Sequence, residues 1–82
     1  METDVVLEKE TLKWAEKLEE RIKGAKIRDQ KINNEMENVK AYLKDSKHFL
    51  GKKDFVRAFE AVIYAYGIYE ACFRMGLVEE TK

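Results

Sequence analysis

Hydrophobic and polar positions along the chain fall into three segments with helical period. The first covers residues 4–23, with Val5, Leu12, Ala15, Leu18 and Ile22 as its apolar positions and Leu7 and Trp14 on a flank. Thr3 or Asp4 is placed to cap its start and Gly24 to stop it. A polar connection follows, partly helical in character. The second segment covers residues 33–50, where Ile32, Met36, Val39, Leu43, Ser46 and Leu50 recur at alternating spacings of four and three, widened by Tyr42 and Phe49. Asn34 and Glu37 have the form of a capping box at its start. Its end is expected near Gly51, where Lys52 and Lys53 suit the negative end of the helix dipole. The third segment covers residues 54–75, capped by Asp54 and stopped by Gly76.

That third segment differs from the others in being apolar on nearly every face. Between Asp54 and Leu77 only Asp54, Arg57, Glu60, Glu70 and Arg74 carry charge. Phe55, Phe59, Val62, Tyr66, Tyr69 and Phe73 form one stripe, which is expected to be the main core face. Ala58, Ala61, Ala65 and Cys72 form a second stripe, small enough to let another helix approach closely. Each segment makes a helix of about 30 Å, so the three can pack side by side. The expected fold is all-α, an up-down-up three-helix bundle with the apolar C-terminal helix at its centre and little or no sheet. A helix apolar all round cannot lie on a protein surface. Two charged companions are too few to cover it, and the remainder predicts a partner or a self-association face.

Composition narrows the function classes. The chain has 82 residues, no proline, and 16 basic against 16 acidic residues. The formal charge of zero gives no general attraction to polyanions. Charges interrupt the third helix so that only residues 61–69 are free of them, too short a run to span a bilayer. With one cysteine, no internal disulfide, and no basic, apolar leader at the start, the chain reads as cytoplasmic.

No residue constellation predicts catalysis, a cofactor or a metal. His48 and Cys72 are each the sole residue of their type and have no partner at ligand spacing. His48 reads as a solvated helix residue, and Cys72 as a small buried hydrophobe. Glu pairs such as Glu19-Glu20 and Glu79-Glu80 read as solubilising charge. Two surfaces remain. Arg57, Glu60, Tyr64, Gly67, Ala71 and Arg74 follow one line of the third helix at spacings of three and four. Gly67 there costs roughly 1 kcal/mol against Ala, which points to close approach by a backbone or ligand. Tyr and Arg are favoured at interfaces, so Arg57, Glu60, Tyr64, Gly67 and Arg74 are the expected partner-binding residues, for a second copy or another protein. The plainer alternative is that this line meets solvent or the first helix. Lys40, Lys44, Lys47 and Lys53 form a local basic strip on and just after the second helix, an alternative nucleic-acid or nucleotide-linked surface, though no aromatic residue interleaves it for base stacking.

The order Phe55, Ala58, Val62, Ala65 resembles the second helix of a tetratricopeptide-type hairpin, yet one such unit cannot stack into a solenoid. A stronger resemblance lies in residues 41–77, in His48-Phe49-Leu50-Gly51-Lys52-Lys53-Asp54-Phe55-Val56-Arg57-Ala58-Phe59-Glu60-Ala61, in Tyr64-Ala65-Tyr66-Gly67-Ile68 and in Arg74-Met75-Gly76-Leu77. These phrases are similar to those of the archaeal family of unknown function numbered 357. The resemblance implies a small helical archaeal protein and carries no activity with it. One departure is at the turn, where Gly51 precedes Lys52-Lys53 in place of the Lys-Gly order expected just before Asp54.

Overall fold

The computed structural model describes residues 2–81, and three helices account for most of them. Helix α1 spans Glu2–Lys23, α2 spans Asn33–Gly51 and α3 spans Phe55–Arg74. Two short strands, β1 (Ala25–Ile27) and β2 (Val78–Glu80), follow α1 and α3 respectively. They pair antiparallel with Lys26 opposite Glu79, an addition to the expected helices that ties the C-terminal end to the end of α1. The chain is an all-α, up-down-up three-helix bundle.

Helix α3 lies between the other two, packed against both, while α1 and α2 barely meet each other. The α2 stripe is buried as its spacing predicts at Ile32, Met36, Val39, Leu43 and Ser46, while its last member, Leu50, is half-buried. On α3 the expected core stripe holds only at Val62 and Tyr69, both fully buried. The enclosed residues are Ala58, Ala61, Val62, Ala65, Tyr69 and Cys72, whereas Phe55, Phe59 and Tyr66 are half-buried and Phe73 is exposed. The small residues face inward because short side chains let a neighbouring helix approach closely, and Val62 and Tyr69 fill the space beside them. Ser46 sits in this seam, fully buried, its Oγ donating to the Ala58 carbonyl at 2.7 Å. On α1 the inward line is also rotated from the expected one. Thr11 is fully buried with its hydroxyl bonded to the Leu7 carbonyl at 2.7 Å, while Val5 and Leu12 are exposed because α2 stands away from that flank.

The short turns after α2 and after α3 use the same closing device. After α3, Gly76 has a φ of 76°, its N–H bonds Phe73 O, and Leu77 N–H bonds Cys72 O at 3.0 Å. After α2, Lys53 has a φ of 61°, its N–H bonds Leu50 O at 3.0 Å, and Asp54 N–H bonds Phe49 O at 2.9 Å. These are two Schellman closures, one with glycine at the left-handed position and one with lysine. Gly51, expected to stop α2, is its last helical residue instead. Asp54 then caps α3, accepting from the Arg57 N–H at 3.2 Å. At the start of α2 the expected Asn34 cap is not used, because Asn34 is inside the helix and no side chain caps its first turn. The helix begins at Asn33 behind a 3-10 turn (Gln30–Ile32), whose cap Asp29 accepts from Lys31 N–H at 2.9 Å.

Gly24 faces a different demand. A Cβ at this position would lie 2.6 Å from the Thr81 carbonyl oxygen, and Thr81 N–H bonds Gly24 O at 2.7 Å. The end of α1 and the residue after β2 therefore touch backbone to backbone.

Two substitutions test these turns by chemical denaturation. Lys53→Gly relieves the left-handed strain and should stabilise the chain by about 1 kcal/mol. Gly24→Ala pushes a methyl group into the Thr81 backbone and should destabilise it by about 1–2 kcal/mol. An unchanged midpoint for either variant contradicts the corresponding reading.

Candidate functional site

The outward face of α3 is built by the same periodicity that buries its inward face. Residues one or two turns apart share a side, so the line Val56, Glu60, Ile63, Gly67, Ala71 and Arg74 stands opposite Ala58, Ala65 and Cys72. Val56 is 58% exposed, Ile63 41% and Tyr64 59%, and Met75 just past the helix is 70% exposed. All five expected partner-binding residues, Arg57, Glu60, Tyr64, Gly67 and Arg74, are exposed together along this side.

Their local contacts differ. Arg57 Nε lies 3.6 Å from Asp54, and its guanidinium approaches the Phe49 ring. Tyr64 tilts against Tyr42 of α2 with ring centroids 5.8 Å apart. Arg74 Nε donates to Glu70 Oε1 at 3.1 Å. Glu60 has no ion-pair partner among the described residues. A Cβ added at Gly67 would meet nothing within 4 Å, so no backbone of this chain approaches it. The close approach that a mid-helix glycine implies is not made inside the subunit.

Lys40, Lys44, Lys47 and Lys53 are exposed, the first three on α2 and the last in the following turn. Lys47 is engaged across the groove with Glu19 of α1 at 3.2 Å. His48 is exposed and edge-on to Phe49, while Cys72 is buried with its thiol pushed up by desolvation and then by Glu35. Among the described residues no group of His, Cys, Asp and Glu could hold a metal ion, and no helix is long and apolar enough to cross a membrane.

The densest polar cluster is one that sequence reading missed. Arg21 of α1 reaches α3 and β2 at once. Its Nε donates to Glu80 Oε2 at 2.8 Å, and its Nη1 donates to Tyr66 Oη at 3.2 Å and also bonds Glu70. Its guanidinium carbon lies 4.8 Å from the Tyr69 ring centroid and 5.0 Å from that of Phe73. The Tyr69 hydroxyl stands 3.2 Å from Glu80 Oε2 and 3.3 Å from the Arg21 carbonyl. Glu80 is thus an ion-pair partner that holds β2 in place, a correction to its reading as solubilising charge.

These contacts shape the titrations. Desolvation opposes the charge on Arg21, but its bonds to Glu80, Glu70 and Tyr66 outweigh it and raise its pKa. Hydrogen bonds from Arg21 and then Arg74 hold Glu70 below its ordinary 4.5. Desolvation and then Glu80 push Tyr69 from 10.0 up to about 12. Every member of the cluster already has a partner, so the arrangement works as a clasp between α1, α3 and β2.

A three-helix domain with one enclosed side and one exposed side on its central helix is the class this architecture defines. The profile of the family described as protein of unknown function (DUF357) matches residues 13–78, well over half of the chain. The chain belongs to that family. The fold is similar to the crystal structure of protein AF1782 from Archaeoglobus fulgidus, of the same family, with a TM-score of 0.85 and 42% sequence identity. The alignment covers 96% of this chain and 99% of that one. A search of curated proteins found no match.

The clasp makes two checkable statements. Arg21→Ala leaves Glu80 without its cation and Glu70 with Arg74 alone, and should cost about 2 kcal/mol in chemical denaturation. Glu70 has a lowered folded pKa, so its contribution is present above pH 4.5 and lost as pH falls below it. Tyr69 has a raised one, so its contribution is present below pH 10.0 and lost as pH rises toward about 12. Glu70→Gln should flatten the acid limb of a stability profile and Tyr69→Phe the alkaline limb. Limbs that keep their slopes contradict the assignment.

Proposed function

We propose that this chain is a non-enzymatic protein-interaction domain whose partner is a second copy of itself, bound through the outward face of α3. The supporting observation is the exposure of Val56, Ile63, Tyr64 and Met75 along the side of the central helix that α1 and α2 leave uncovered. Exposed apolar groups that recur along one side of a helix, here interspersed with Glu60, Gly67 and Arg74, are the composition of an interaction surface more than of a solvated one. The saturated Arg21 clasp and the single buried thiol of Cys72 support a role without chemistry, and the lone free cysteine fits the reducing cytoplasm. Nucleic-acid contact through Lys40, Lys44, Lys47 and Lys53 has less behind it, since Lys47 is already paired with Glu19.

Static light scattering over about a hundredfold range of concentration tests the proposal. The average mass should climb from 9.7 kDa toward twice that value. A mass fixed at 9.7 kDa at the highest concentration overturns it.

A further inference from the structure

On the reading that α3 self-associates, we infer that two copies pack α3 against α3 antiparallel, with the two-fold axis beside Gly67 and Glu60 of each copy paired with Arg74 of the other. Spacing along α3 sets this register. Glu60 precedes Gly67 by seven residues and Arg74 follows it by seven. Ile63 precedes it by four and Ala71 follows it by four. In an antiparallel pair crossing at one residue, positions equally distant before and after that residue face each other across the axis. Glu60 then meets Arg74 of the partner subunit, and Ile63 meets Ala71 of the partner subunit. Each match occurs twice, because a two-fold interface repeats every contact.

Size and charge agree with that register. Gly67 projects no side chain, and a Cβ there would have nothing within 4 Å, so the crossing point is open for the backbone of a second helix. Ala71 is small where Ile63 is large, which lets the two interdigitate as facing positions of packed helices do. Glu60 is an exposed carboxylate without an ion pair among the described residues, and Arg74 is 77% exposed on its side chain, bound to Glu70 by Nε alone. A parallel pairing would set Glu60 against Glu60 and Arg74 against Arg74, and the like charges disfavour it. One helix on one helix is a small interface, so a reversible dimer is the expected product.

Charge reversal and cross-linking test the register. Glu60→Arg and Arg74→Glu, each alone, should raise the dimer dissociation constant about tenfold, and the two combined in one chain should restore it. In a Cys72→Ala background, oxidised Gly67→Cys should form a covalent dimer. Glu60→Cys alone should not, whereas Glu60→Cys with Arg74→Cys should. The substituted α3 positions are on the outside of the subunit, and far-UV circular dichroism confirms that each variant remains helical. A dimer that persists while charge reversal has no effect and Gly67→Cys fails to cross-link overturns the register but leaves self-association standing. A chain that is monomeric at every concentration overturns both.

Discussion

Everything in this fold follows from the position of α3 between two helices that scarcely touch each other. The helical neighbours of α3 are α1 and α2, and both pack against its inward side. Ala58, Ala61 and Ala65 line that side because short residues permit close approach, and Val62 and Tyr69 fill the spaces between. Had α1 and α2 met over α3, the groove between them would be closed and Leu12 buried. Leu12 is instead 54% exposed, so the two flanking helices form an open cradle and the opposite side of α3 faces outward without cover.

An open cradle needs fastening, and the chain fastens it at one end. Arg21, Glu70, Tyr69 and Glu80 join α1, α3 and β2 through a single guanidinium, while Gly24 and Thr81 join the same elements backbone to backbone. The two devices cooperate, since Glu80 can reach Arg21 only while β2 is paired with β1. At the other end α2 and α3 are joined by a tight turn in which Asp54 both closes one helix and starts the next. This places strain at Lys53, a lysine in the conformation that its counterpart Gly76 occupies without cost.

Different parts of this structure were legible in the sequence to different degrees, for physical reasons. The α2 stripe was read residue by residue because every member except Ser46 is apolar and the helix packs on one neighbour. The α1 stripe was read a few tens of degrees off, because Thr11 and Arg21 are polar residues on the inward line and a search for apolar period passes over them. On α3 the large stripe drew attention and only Val62 and Tyr69 of it are enclosed, while the small stripe, Ala58, Ala61, Ala65 and Cys72, is buried throughout, since packing between two helices rewards short side chains. Glu80 was invisible as a partner because Arg21 lies 59 residues away and no local pattern links them. The left-handed turn residue left one trace, the Lys where the family resemblance led to glycine. The outward line of α3 was legible in part: Glu60, Gly67, Ala71 and Arg74 stood out as charged, glycine and small positions on an otherwise apolar helix, while Val56 and Ile63 passed unnoticed because exposed apolar residues on such a helix look like core.

The central claim is that the uncovered side of α3 is where this protein meets its own copy. Backbone amide spectra recorded by nuclear magnetic resonance across a dilution series address it residue by residue. The amides of Glu60, Ile63, Tyr64, Gly67, Ala71 and Arg74 should shift together with concentration while those of Lys9, Lys13 and Lys40 hold still. Spectra that superimpose at every concentration, or shifts that gather on α1 or α2 instead, would contradict the account.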